Sequence, residues 1–398
     1  MTLKIDKINA WYCLLIFPFL VPSSLYVYPE ILSIIKFLKL TVFGYSMLLL
    51  MRKRVKLNNA VLYPVVFFAW MLLTTIIQLG DVYKWFSDVY PYFTVTILVS
   101  AWYQRKSESM IRVIANLFII FLLLNVMTWL AGGIYVDTTS SFGTERIVYF
   151  WGIRNSLTYC LLPIGMVVYL SLKAQQHSKF FELLGYAALI LNIYIAFDLE
   201  IVTTIFALIV FFVIYFLNNS HYRKLPKWNK VIVSLVLGMA IFVTGFGLSN
   251  SIFDGLFAEL GKGTTFNGRT IIWSSVLSQI KGMEWILGHG TGSEKSFVLR
   301  GLYTSTTHSQ YLFILYDSGL IGLVLFVWMI CAPLKRLFEI KTRFESKIIF
   351  AGITSILAAG IVENLCNNCY FYAMYALVLC IIQERITEYQ IQETMMIS

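Results

Sequence analysis

Charge is what this sequence has little of. Only 13% of its 398 residues are Asp, Glu, Lys or Arg, while 59% are hydrophobic; soluble domains hold about a quarter charged and 45–50% apolar. An ordinary soluble globule is excluded. Six dispersed cysteines are too few for a disulfide scaffold. The N-terminal apolar stretch has no small-residue cleavage site and is followed closely by another, so no cleavable signal peptide is expected. No internal repeat and no low-complexity tract is present. Walker A, GxSxG, HExxH and dinucleotide fingerprints are all missing, which leaves ATP-driven transport and metalloprotease chemistry without support.

What is there is apolar, with a mean hydropathy of +0.75. A window of about 20 residues, the length that crosses a hydrocarbon core as a helix, finds about twelve spans in the sequence: 8–28, 31–51, 60–79, 87–103, 111–131, 156–172, 180–197, 201–217, 231–249, 308–331, 348–363 and 370–383. The runs are continuous rather than alternating, which argues against a β-barrel. The expected fold is all-α: a single polytopic membrane domain over residues 1–398.

The net charge of +10, from 31 Lys and Arg against 21 Asp and Glu, has a topological explanation. With the N-terminus in the cytoplasm, loops on that side carry 21 basic residues and the opposite loops eight; Lys36 and Lys39 fall inside the second span. That bias is the positive-inside rule. It puts both termini in the cytoplasm and removes the need for a nucleic-acid partner. Two long external segments remain, 132–155 and 250–307. Loops of this length are usually functional or disordered, and the second is not disordered in composition. Asn267 can cap a helix starting at Gly268, with Ile272, Val276, Gln279, Ile280 and Met283 at helical spacing; an amphipathic helix at the membrane surface is expected there.

Chemistry-bearing residues concentrate in these external parts. His308 opens the tenth span, where the helix dipole favours a neutral imidazole able to accept a proton. His289 lies among glycines in Leu287-Gly288-His289-Gly290-Thr291-Gly292 and reads more readily as a turn residue. Arg146 and Arg154 bracket Tyr149, Phe150 and Trp151, and Arg269 and Arg300 lie in the large loop. Guanidinium groups bind phosphate oxygens bidentately, and aromatic faces suit sugar rings. Asp317 within the tenth span and Glu363 at the end of the eleventh are acids inside apolar segments, which are functional candidates by default. Cys366 and Cys369 form a lone CxxC without companion ligands, so a disulfide or two separate thiols is expected rather than a metal site.

Read in order, Gly268-Arg269 with Trp273, Leu287-Gly288-His289-Gly290-Thr291-Gly292, His308-Ser309-Gln310-Tyr311-Leu312 and Asp317-Ser318-Gly319-Leu320-Ile321-Gly322 resemble the C-terminal signature of bacterial O-antigen polymerases and ligases. Arg154-Asn155 is similar to an asparagine-containing span start in that family. Two departures stand out. Residues 198–204 lack the family's Ser-Arg pair, and Ser309 follows His308 in place of the commoner Asn. The resemblance implies metal- and cofactor-free glycosyl transfer from a polyprenyl-diphosphate-linked oligosaccharide on the outer face of the bacterial inner membrane. It makes His308 the base and Arg269 and Arg154 the diphosphate ligands, assisted by Arg146 or Arg300. His289, Asp317, Asn155, Tyr149 and Trp151 are further candidates. Polymerisation of repeat units into O-antigen or capsule, with a chain-length regulator protein as an additional partner, is the expected activity. Ligation to lipid A core is the alternative within the family. A flippase is the alternative outside it, although a transporter would place charges near the midplane and show paired half-repeats.

Overall fold

The computed structural model describes residues 6–55, 57–138, 145–174, 177–218, 227–245, 263–292, 297–299, 302–304, 307–338 and 344–397. The helices are α1 (Lys7–Ile16), α2 (Pro29–Met51), α3 (Asn59–Ile77), α4 (Val82–Leu130), α5 (Ser156–Lys173), α6 (Lys179–Asp198), α7 (Val202–Leu217), α8 (Trp228–Gly245), α9 (Gly263–Gln279), α10 (Glu284–Leu287), α11 (Gln310–Leu337), α12 (Phe344–Ala359) and α13 (Cys369–Ile397). Strands β1 (Tyr135–Asp137), β2 (Arg146–Tyr149) and β3 (Gly152–Ile153) form one small antiparallel sheet, and β4 (Phe297–Leu299) and β5 (Leu302–Thr304) a hairpin.

The protein is an all-α polytopic membrane protein. Among the described residues seven helices are long and apolar enough to cross a membrane, and two shorter apolar ones, 202–217 and 228–242, accompany them. Among the described residues each expected span overlaps a helix, and the eleventh runs past the end of its helix at Ala359 into a turn. The 49 residues of α4 would extend roughly 73 Å as one rod, far beyond a hydrocarbon core of about 30 Å. Lys106 breaks it, with φ −153° and ψ 55°, into the two spans expected. The first span is interrupted too: α1 stops at Ile16, and Pro18 and Pro22 sit in the short 3-10 turns and the linker that follow.

The core is built around the C-terminal helix. Residues 369–382 of α13 are buried almost throughout, and Tyr370 and Tyr375 bury their rings while donating to the carbonyls of Leu20 and Met329, both at 2.7 Å. Each hydroxyl thereby escapes the cost of lying unpaired in an apolar interior. By contrast α2, α6, α7 and α8 form the rim and leave large apolar side chains exposed, Phe37 at 70% and Leu183 at 71% among them. Lipid, not water, is the solvent that tolerates such surfaces.

Three expectations for the long segments are corrected. Residues 132–155 are not plain loop, because Tyr135–Asp137 pairs with Arg146–Tyr149. Helix α9 starts at Gly263, so Asn267 lies within it rather than capping it. Nor do the residues read as an apolar stripe share one environment: Val276 and Ile280 are buried in the protein core, while Met283 is 62% exposed.

Candidate functional site

The end of the bundle that carries both long segments also carries a cluster centred on Glu363. This acid lies in the turn between α12 and α13 and is 2% exposed. Three other segments converge on it. Arg269 of α9 contacts the Glu363 Oε2 at 3.3 Å and donates to the Val362 carbonyl at 2.7 Å. His308 places Nδ1 3.3 Å from Oε1, and the Tyr159 hydroxyl of α5 donates to the same oxygen at 2.9 Å. Burial pushes the Glu363 pKa up, but the His308 hydrogen bond and the Arg269 charge outweigh it and hold the carboxyl below its usual range.

Local structure explains why these groups meet. Arg269 and Trp273 are one turn apart on α9 and therefore share a face. Trp273 donates its indole N–H to the Thr307 carbonyl at 2.8 Å, so a single helix face grips both the His308 segment and the Glu363 segment. Those segments also bind each other: the Gln310 amide donates to the Gly360 carbonyl, and the Cys366 amide to the Gln310 side chain, both at 2.8 Å. His308 itself has φ +48°, a left-handed conformation uncommon outside glycine. Ser309 then caps α11, its hydroxyl accepting from the Leu312 amide at 3.4 Å. Cys366 and Cys369 are buried free thiols beside this turn.

His289 is placed elsewhere. Its ring stacks on Tyr316 at 4.1 Å, its Nε2 lies 3.2 Å from Glu284, and its backbone amide donates to the Tyr316 carbonyl at 2.8 Å. The reason lies in α11, which breaks at Gly319 (φ +66°, ψ −171°). Such a break frees carbonyls of the preceding turn that must find other donors. Those of Tyr316 and Asp317 are taken by the His289 and Gly290 amides, at 2.8 and 2.9 Å, and that of Ser318 by the Trp70 indole at 2.9 Å. The Gly288–Gly292 turn and the Asp317–Gly322 run are thus two halves of one backbone joint.

One arginine of the first long segment, Arg154, lines a shallow cleft with Tyr149, Trp151, Asn125 and Leu199. Trp151 is 3% exposed and belongs to the core. Ser23 donates to the Trp151 carbonyl and Ser24, at 2.6 Å, to that of Phe150, pinning the β2–β3 turn to the first span. Burial and the Asp198 charge raise the Tyr149 pKa, and Arg154 opposes them. Arg146 sits opposite Asp137 across the sheet. Asn155 precedes α5 without a side-chain cap bond. Asp317 is 9% exposed, and Arg300 lies outside the described residues.

Sequence reasoning singled out Arg269 and His308 but gave no role to Glu363 and missed Tyr159. The signal for Glu363 was its place as a lone acid at the end of an apolar run. Tyr159 gave none, since tyrosines are common in these spans.

Two comparisons with known proteins bear on the chain. Residues 184–327 match the family model described as O-antigen ligase. By this segment, about a third of its length, the chain resembles the O-antigen ligase family. Within it fall Arg269, His289, His308 and Asp317; Arg146, Arg154, Tyr159 and Glu363 lie outside. The chain is similar to an O-antigen ligase of Pseudomonas aeruginosa, 30% identical over 139 residues, which make up 34% of this chain and 32% of that protein. The match therefore spans about a third of the family relative's length.

Proposed function

We propose that this protein transfers a glycan from a polyprenyl-diphosphate-linked oligosaccharide to a sugar hydroxyl at the outer face of the inner membrane. The observation that carries the reading is the convergence of His308, Arg269 and Tyr159 on one buried carboxylate. With Glu363 ionised, His308 donates Nδ1–H to it, which leaves Nε2 as a proton acceptor. The acceptor hydroxyl gives its proton to that nitrogen as its oxygen bonds to the anomeric carbon. The bond from that carbon to the diphosphate breaks, and the diphosphate departs with the electron pair. Glu363 stabilises the imidazolium that forms, in the manner of an acid behind a catalytic histidine. Arg269 uses two of its five donors on Val362 and Glu363 and stands ready for phosphate oxygens with the rest. Arg154 is the second diphosphate ligand, with Arg146 or Arg300 assisting.

Two acceptors fit this chemistry. In polymerisation another lipid-linked repeat unit attacks. The name of the Pseudomonas aeruginosa relative favours ligation to lipid A core. The surface-glycan banding of a deletion strain separates them: single-repeat bands mark a polymerase, and accumulated lipid-linked polymer without attachment marks a ligase. Cytoplasmic build-up of single units would mark a flippase and overturn the proposal. Complementation with His308→Asn tests the base, because asparagine accepts the left-handed backbone but cannot take the proton. A loss of about 10²- to 10⁴-fold in transfer is expected, with membrane levels unchanged; wild-type banding would remove His308 from the chemistry.

A further inference from the structure

Lys36 and Lys39 fall inside a membrane span, and the chemistry above gives them no role. Both lie in the half of α2 nearest the Glu363 end, seven and ten residues from its start at Pro29, or about 10 and 15 Å along the axis. Three residues apart, they share one face of the helix. Ionisable groups in a membrane helix ordinarily turn inward and pair. Lys36 is exposed instead, on a rim helix, and has no hydrogen-bond or ion-pair partner among the described residues. Glu30, the one acid of α2, is six residues away and so on another face.

Lys39 is half-buried. Its amine donates to the Tyr26 hydroxyl at 3.2 Å and lies over that ring at 5.5 Å. Cys369, Tyr26 and Tyr90 act most on its charge, and none of them is a carboxylate. Cys369 starts α13, six residues beyond Glu363. Tyr26 belongs to the 3-10 turn Ser23–Val27, whose Ser23 and Ser24 hold the carbonyls of Trp151 and Phe150 just before Arg154. Lys39 thus has as neighbours the helix that follows Glu363 and the turn that pins the Arg154 segment. Phe43, one turn further along α2, packs on Phe86 and Tyr90 of α4, both at 5.6 Å, so the α2–α4 seam beneath Lys39 is apolar.

The outward row below Lys36 is apolar as well. Leu40, Gly44 and Leu48 follow it at the four-residue spacing that aligns side chains on a helix. The two leucines are 53% and 49% exposed, and a Cβ on Gly44 would have nothing within 4 Å. A cation at the outer end of an open apolar strip fits a lipid with an anionic head. Two like charges one turn apart repel, and an anion that bridges them relieves the repulsion. A sugar-capped diphosphate carries one negative charge on each phosphate, one for each lysine, and its polyprenyl chain follows the row. A phospholipid phosphodiester has a single charge and a headgroup held at the interface, so it meets Lys36 alone.

We propose that α2 is where the lipid-linked diphosphate docks from the bilayer before it passes to Arg269 and Arg154, with Lys36 and Lys39 as its phosphate ligands; the proposal rests on the glycan-transfer reading. The test places full-length protein in phosphatidylcholine nanodiscs with one of two photoreactive probes, a polyprenyl diphosphate or a phosphatidylglycerol with a diazirine in its chain, and maps the labelled peptides. In wild type the diphosphate probe labels residues 40–48. Lys36→Gln, a change on the exposed surface, lowers that labelling about fivefold, and Lys36→Gln with Lys39→Gln about thirtyfold, the effect of one and two lost charges near a membrane surface. Labelling of α6 is unchanged, which shows the variants folded, and Lys36→Arg with Lys39→Arg labels like wild type. In turnover the KM for the lipid-linked substrate rises with the same factors and kcat stays constant, because neither lysine touches the reacting atoms. Labelling of residues 40–48 that the glutamines leave unchanged overturns the docking site while the transfer reading stands. Equal labelling and equal loss with phosphatidylglycerol marks a general anionic-lipid contact and overturns it too. Lysine-dependent labelling in a protein whose deletion strain builds up single units in the cytoplasm supports the docking site and overturns the transfer reading.

Discussion

Glu363 is the residue on which most of the site's geometry depends. A carboxylate 2% exposed is stable as an ion only when partners replace its water, and here Arg269, His308 and Tyr159 do so. Folding lowers its pKa from the ordinary 4.5. The stabilisation it contributes is therefore complete above that value and is lost as pH falls through the lower, folded one. Glu363→Gln keeps the size but loses the charge. The expected outcome is a loss of about 2 kcal/mol at neutral pH, read as a lower thermal midpoint, together with a smaller further drop than wild type between pH 5 and about pH 3. Curves that run parallel over that range would show that the carboxylate is not held by its neighbours. The same substitution leaves His308 without an anion behind it and Arg269 without its carboxylate, so transfer activity falls by about 10²-fold or more.

At the scale of elements, two sequence motifs that look separately catalytic prove to be one joint. Gly288–Gly292 reads as a glycine turn and Asp317–Gly322 as a polar interruption of a span, and each is explained by the other. A Cβ on Gly319 would come 2.1 Å from the Ile286 carbonyl oxygen, and one on Gly288 2.4 Å from the Ser318 amide. Neither obstacle is a flexible side chain, so backbone must move. Gly282, also left-handed at φ +53°, has nothing within 4 Å of that position, and it isolates the cost of the dihedral alone. Gly282→Ala is expected to cost about 1–2 kcal/mol and Gly319→Ala at least about 4, measured as thermal midpoints of protein purified in the same detergent. Equal costs would mean that α11 and the turn are not packed as described. The comparison also shows what sequence makes legible. Continuous apolar runs marked the spans, and clustered glycines marked the turn; that the turn's amides serve the broken helix is a tertiary fact with no local signature. The same holds for the site: Arg269 and His308 stand out by type and position, whereas Glu363 gains its meaning only when four segments meet.

At the scale of the molecule, the charge deficit and the apolar excess become a radial arrangement. Exposed apolar side chains such as Ile190 at 63% and Phe216 at 64% lie on rim helices, while most of α12 and residues 369–382 of α13 are buried. Sequence could not rank the spans from rim to centre, because in lipid a helix may be apolar on every side and periodicity loses its contrast. The ionic groups sort to the two ends. One end holds the Glu363 cluster; the other holds the Lys106–Asp6 pair at 3.0 Å and the Arg385–Glu345 pair at 2.9 Å. Which end faces the cytoplasm follows from the basic bias alone, and the proposed chemistry requires the Glu363 end to face outward, where assembled lipid-linked glycan is presented. Labelling decides it. In a background with the six native cysteines replaced, Ile147→Cys lies at the Glu363 end and Lys53→Cys at the other, and both positions are exposed. A membrane-impermeant maleimide added to spheroplasts is expected to label Ile147→Cys within minutes and Lys53→Cys only after the membrane is opened. The reverse pattern would place the Glu363 cluster in the cytoplasm and remove the lipid-linked donor from its reach.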